Sequence, residues 1–121
     1  MSYGNRSIDD WAVVVNRIAH NKGWYTDPLT GEPAERNFGE IIALMHSELS
    51  EALEEWRVTG MDKPLWLSDS GKPEGWAVEL ADCVIRIMDT CAEAGVSLED
   101  AIRRKAEYNR TRPYRHGGKL A

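Results

Sequence analysis

The sequence lacks long apolar runs and has little cysteine. No stretch approaches the roughly 20 apolar residues of a membrane span, and no apolar segment follows the N-terminus as in a signal peptide. Cys83 and Cys91 lie eight positions apart on one predicted helix. That is roughly 12 Å along its axis, too far for a disulfide between them. We therefore expect no membrane association and a cytoplasmic protein whose cysteines are small buried residues.

Several metal motifs are also missing. No glutamate is followed three residues later by a histidine, the pair that di-iron helical bundles use. No EF-hand loop is present, which excludes a dedicated calcium sensor. The sequence has no strand-like alternation of polar and apolar residues and no internal repeat. These absences leave a helical protein without the usual iron or calcium sites.

Apolar residues recur at helical spacing in four stretches. Start and stop signals place the helices at about 7–22, 37–59, 75–94 and 97–112. A loop of about 15 residues, from Gly60 to Glu74, separates the second from the third. We predict one all-α domain over residues 1–121, four-helix bundle-like, with a helical core at about 7–112 and a basic tail at 113–121. A chain of this size would bury its helix faces better by self-association, as a homodimer or homotetramer.

Charge is distributed unevenly along the chain. The net charge is −5, yet residues 103–121 carry seven Arg or Lys and one acid, Glu107. The preceding residues therefore sum to −11. Acids in the middle and bases at the end are suited to hold a metal and phosphates respectively, although a solvated basic tail is common at C-termini. A nucleic-acid polymer is the less favoured partner, because the acidic remainder would repel its backbone.

Two acidic pairs occupy neighbouring predicted helices: Glu48 and Glu51, then Glu79 and Asp82. Residues three apart lie on one helix face, and two packed helices would bring all four carboxylates together. Apolar residues rather than balancing lysines border both pairs. All-oxygen ligation favours Mg²⁺, Mn²⁺ or Ca²⁺ over iron or zinc, and we expect Mg²⁺, with Mn²⁺ able to substitute. The spacing thus predicts a divalent-metal site, with a solvated acidic face as the alternative.

The same residues resemble a known signature. The segment from His46 to Arg57, followed by Glu79-Leu80-Ala81-Asp82, is similar to the E-x-x-E … E-x-x-D pattern of the MazG-like all-α nucleotide pyrophosphohydrolases. Residues 105–113 resemble the K-x-x-x-N-x-x-R element of that family. The resemblance covers roughly residues 35–118 and includes both elements in the family's order.

The resemblance implies Mg²⁺-dependent hydrolysis of a nucleoside triphosphate to the monophosphate and pyrophosphate. The implied biological role is the removal of unwanted nucleotides. Glu48, Glu51, Glu79 and Asp82 would be the metal ligands. Lys105, Asn109 and Arg112 would contact phosphate or ribose. The hypothesis is in-line attack of water at the α-phosphorus, with the charge of the leaving pyrophosphate neutralised by Mg²⁺, Lys and Arg.

The identity of the general base differs from the family pattern. Many members have a second glutamate where this chain has Ser47, which carries no charge. Glu51 or Glu55 would take the role of base, so Glu48, Glu51 and Glu55 are the catalytic candidates. Ser47 also keeps an alternative open, a nucleotide-binding or regulatory helical module of the same fold with little turnover.

Two aromatic residues are candidates for contact with the nucleobase. Tyr108 lies between the basic residues of the last helix and is expected either to pack on a base or to cover the bundle. Trp24 lies in the loop before the second helix and is expected either to stack on a base or to plug the end of the bundle.

Overall fold

The computed structural model describes residues 4–114, in which four helices and one short hairpin follow each other along the chain. The elements are α1 (Ile8–Asn21), α2 (Phe38–Thr59), β1 (Trp66–Leu67), β2 (Pro73–Glu74), α3 (Trp76–Glu93) and α4 (Leu98–Thr111). The all-α prediction is confirmed at the level of four helices. Most of the predicted basic tail, residues 115–121, lies outside the described residues. None of the described helices combines the length and apolar character of a membrane span.

Local sequence signals explain where the helices begin. Ser7 forms a capping box with Asp10, in which each side chain pairs with the other's backbone N–H. The Asn37 side chain accepts from the N–H of Glu40 at the start of α2, and the Ser97 side chain accepts from the N–H of Asp100 at the start of α4. Each of these side chains satisfies a backbone donor that the helix itself leaves unpaired.

Helix α3 is the centre of the fold. It packs on α1 and on α2, whereas α1 and α2 make no close backbone contact with each other. Helix α4 packs only on α1 and α3, and none of its residues is buried. Few apolar residues of the described chain are buried, and most of them are small: Ala12, Val15, Ala52, Cys83 and Met88. The four helices therefore form an open bundle with a thin core.

The segment predicted as a loop, residues 60–74, contains a two-stranded antiparallel hairpin. Trp66 pairs with Glu74 and Leu67 with Pro73, so the prediction of no strand was wrong here. Two-residue strands are too short to produce a recognisable alternation in the sequence. The turn is closed by bonds from the Ser68 N–H to the Lys72 carbonyl and from the Lys72 N–H to the Ser68 hydroxyl.

The base of the hairpin is fixed against the start of α3. Gly75 has a φ of +116°, and a Cβ there would lie 2.4 Å from the carbonyl oxygen of Pro64. The same Pro64 carbonyl accepts from the N–H of Ala77, in the first turn of α3. Only glycine permits this close approach together with this backbone conformation. The hairpin is thereby held at the end of α3 that carries Glu79.

Candidate metal and phosphate site

Carboxylates from α2 and α3 converge where the two helices pack. Single carboxylate oxygens of Glu48, Glu51 and Glu79 lie within 4.8 Å of one another. Two oxygens bound to one Mg²⁺ at about 2.1 Å are at most ~4.2 Å apart, so small side-chain rotations bring these three into a coordination sphere. Glu48 is buried at 8% exposure and Glu79 is half-buried, whereas Glu51 is exposed. The donor set is all oxygen and suits Mg²⁺ or Mn²⁺.

Mutual repulsion within this group acts together with burial. Burial raises the pKa of Glu79 to about 7, helped by its hydrogen bond to Glu51 and by the nearby negative charges of Glu51, Asp82 and Glu48. A proton on Glu79 would relieve the repulsion between these carboxylates. A divalent cation would replace this proton and neutralise more of the charge.

The fourth predicted ligand, Asp82, lies one helical turn beyond Glu79. Its pKa is raised, first by burial and then by repulsion from Glu48, while Arg86 acts in the opposite direction. Asp82 is thus within electrostatic reach of the group, although its oxygens are not among the three that lie within 4.8 Å.

Arg86 on α3 is part of the same cluster and was not singled out from the sequence. Its Nε donates to Glu48 Oε1 at 2.8 Å, which leaves the second carboxylate oxygen of Glu48 for another partner. The sequence does hold a signal for it: Arg86 is the single basic residue of α3. A lone arginine on a largely apolar helix indicates a carboxylate partner on a neighbouring element.

A hollow of about 500 Å³ opens beside the acids, between α2 and the hairpin. Its polar lining comes from α2, α3 and the hairpin, with the residues Ser50, Glu51, Glu54, Glu55, Lys72, Glu74 and Glu79. Glu55, the candidate base, therefore shares the hollow with two of the predicted metal ligands. Ser47 is not in this lining; its hydroxyl donates to the Leu44 carbonyl at 2.7 Å.

The predicted phosphate-binding residues are grouped on α4 but not with the acids. Lys105 Nζ lies 4.8 Å and the Arg112 guanidinium 5.6 Å from the centre of the Tyr108 ring. Asn109 is adjacent to Tyr108 and exposed. Helix α4 does not contact α2, so within the described residues these side chains and the acidic cluster are separate.

Ion pairs divide the cations of α4 into two sets. Arg104 pairs with Asp100 at 2.8 Å and Arg110 with Glu107 at 2.6 Å, and Arg103 also pairs with acids of the first turn. Among the residues that the structure describes, Lys105 and Arg112 instead contact the face of Tyr108. The two cations named by the resemblance are thus those that have no carboxylate partner within residues 4–114.

Trp24 follows α1 and is 71% exposed, so it does not plug the end of the bundle. A larger cavity of about 600 Å³ lies near it, lined by Tyr25, Arg36, Phe38 and Glu93 among others. This cavity contains none of the predicted metal ligands. The smaller hollow, by contrast, is lined by acids from both α2 and α3, among them Glu51 and Glu79.

Comparisons with known proteins add no assignment. No protein-family model matches the chain, and neither the curated proteins nor the solved structures contain a match. The evidence for function therefore comes from the motif residues and their arrangement in the fold.

Proposed function

We propose that this protein is a Mg²⁺-dependent nucleoside triphosphate pyrophosphohydrolase of the MazG-like type that yields a nucleoside monophosphate and pyrophosphate. The single observation that supports the proposal most is the convergence of Glu48, Glu51 and Glu79 from two helices. Three carboxylates at this separation repel each other unless a cation or a proton lies among them. Because the acids lie beside an open hollow, a polyphosphate would have access to a cation held there.

Each residue of the cluster has a distinct role in this proposal. Glu48, Glu51 and Glu79 would hold Mg²⁺, with Asp82 as the fourth ligand. The ion supplies neutralisation of phosphoryl charge and orientation of the leaving pyrophosphate. Glu55 faces the same hollow and can accept a proton from an attacking water, and Arg86 orients Glu48 through its 2.8 Å bond.

Association of two or more copies is part of the proposal. Large apolar residues are exposed at helical spacing on α2 and α3: Leu49, Leu53, Trp56, Leu80 and Val84. A patch of this kind on a chain with a thin core is typical of a subunit interface. In a homodimer or homotetramer, α4 of one copy could lie beside the acids of another, which would unite the two halves of the site.

The alternative is a nucleotide-binding module that holds the metal and turns over slowly. The observation that favours it is Ser47, whose hydroxyl is turned back to the Leu44 carbonyl and offers no carboxylate. Binding of Mg²⁺-nucleotide without pyrophosphate release would support this alternative.

The test is a panel of ribo- and deoxynucleoside triphosphates with Mg²⁺, in which phosphate and pyrophosphate are measured separately. We expect pyrophosphate with at least one substrate, and a loss of about 100-fold or more in Glu51→Gln, because an uncharged amide is a poor Mg²⁺ ligand. Glu40→Gln, an exposed acid in the first turn of the same helix, is the matched control and should retain full activity. Equal activity in both variants would remove the acidic cluster from the reaction.

A further inference from the structure

Lys72 stands out in the hollow beside the acids. Of the lining residues, Lys72 is the single cation, facing Glu51, Glu54, Glu55 and Glu79. Lys72 was not selected from the sequence, because it lies in the segment between the two acidic pairs and belongs to no motif.

The side chain of Lys72 is available to a ligand. It is 73% exposed, and its ion pair with Glu74 is long, at 3.7 Å. An exposed pair of this length contributes little to stability, so the ammonium can leave Glu74 at little cost. By contrast, Arg86 is held at 2.8 Å by the buried Glu48.

The backbone below Lys72 is nevertheless well defined. The hairpin closes through the two bonds between Ser68 and Lys72, and its base is pinned where Gly75 meets the Pro64 carbonyl. The backbone of Lys72 is therefore fixed while its long side chain can move. Its ammonium group can adjust its position to bind a flexible polyphosphate.

Resting on the proposed function, we infer that Lys72 is a substrate-binding residue that contacts the outer phosphates of the triphosphate in the hollow beside the acids. A polyphosphate entering this hollow meets mostly negative charge, and the metal alone compensates only part of it. The cations of α4 do not contact α2 in the described chain, whereas Lys72 lines the hollow itself and can approach the phosphates from the same copy.

The variant that tests this is Lys72→Met, which keeps the length of the stem and removes the charge. We expect the KM for Mg²⁺-nucleotide to rise about tenfold, the size of one charge-assisted hydrogen bond, with a smaller change in kcat. Lys72→Arg should recover most of the loss. Lys63→Met is the matched control, because Lys63 lies in the same segment but stacks 5.1 Å from the Trp66 ring centre.

Calorimetric binding of Mg²⁺ with inorganic tripolyphosphate gives a readout independent of turnover. We expect weaker binding in Lys72→Met than in wild type and Lys63→Met, with Mg²⁺ alone bound no less tightly and the melting temperature unchanged. Unchanged KM and tripolyphosphate affinity in an active Lys72→Met would overturn the inference and leave the proposed function intact. A wild-type protein that neither releases pyrophosphate nor binds tripolyphosphate would overturn both.

Discussion

The acidic cluster differs from the basic face of α4, formed by Lys105, Asn109 and Arg112, in how the protein holds its side chains in place. The acids come from two packed helices, and Glu48 is buried and bonded to Arg86. Helix α4 has no buried residue and is anchored mainly at its first turn, where Glu99 and Asp9 bond across to backbone N–H groups. The first region is positioned by the fold of one chain. The second is presented on the surface, which is the arrangement expected of groups that meet a substrate or another subunit.

The largest expected effect concerns the basic face. We expect the double variant Lys105→Ala with Arg112→Ala to lower kcat/KM about 100-fold, because two charge-assisted phosphate contacts are lost. Arg104→Ala is the control, since Arg104 pairs with Asp100 on its own helix, and it should be nearly neutral.

Mixing experiments sharpen this prediction. If α4 of one copy serves the acids of another, then mixing the double variant with Glu51→Gln should restore part of the activity that each lacks alone. Light scattering should report a mass above the 13.7 kDa of one chain. A fully active monomer would contradict the proposed association.

The next effect compares two ion pairs of equal length. Arg86 to Glu48 and Arg104 to Asp100 both measure 2.8 Å, but the acid side chains are 10% and 45% exposed. We expect Arg86→Met to lower the free energy of unfolding by about 1–2 kcal/mol, since it leaves a buried carboxylate without its partner. Arg104→Met should cost no more than about 0.5 kcal/mol.

Denaturant unfolding in EDTA measures both changes, and repeating it with Mg²⁺ adds a second comparison. Because the ion can compensate Glu48 in place of Arg86, the loss in Arg86→Met should shrink when Mg²⁺ is present. Equal losses in the two variants would mean that the acidic region is as solvated as the surface of α4.

A further comparison concerns the pH dependence of the metal-free protein. The pKa of Glu79 is raised to about 7 in the folded chain, so the folded state holds a proton that the unfolded state releases near its ordinary value. This contribution to stability is complete below about pH 4.5 and is lost as the pH rises through about 7. Glu79→Gln removes the titration.

Thermal melts in EDTA from about pH 5 to about pH 8 measure this difference. We expect the melting temperature of wild type to fall relative to that of Glu79→Gln across this range. Asp69→Asn, an exposed acid in the turn of the hairpin, should follow wild type. Parallel profiles of wild type and Glu79→Gln would show that Glu79 does not carry the extra proton.

The pattern of the chain was sufficient to predict the helices and the identity of the acids. Helix starts at Ser7, Asn37 and Ser97 follow from side chains that cap the nearest backbone N–H groups, a local interaction. Glu48 with Glu51, and Glu79 with Asp82, share helix faces because the period of the helix is fixed. The hairpin was missed because two-residue strands depend on a partner rather than on their own pattern.

What the sequence determined by itself is therefore local. It determined four helices, their ends, and two acidic pairs, each with both acids on one face of its helix. Only the tertiary structure decided that Arg86 bonds to Glu48 and that Lys72 lines the hollow beside the acids. It also decided that the cations of α4 are separate from the acids in the described chain. The physical reason is that these relations join residues from different elements. They depend on how helices pack and where the hairpin is pinned, and no spacing along the chain encodes either.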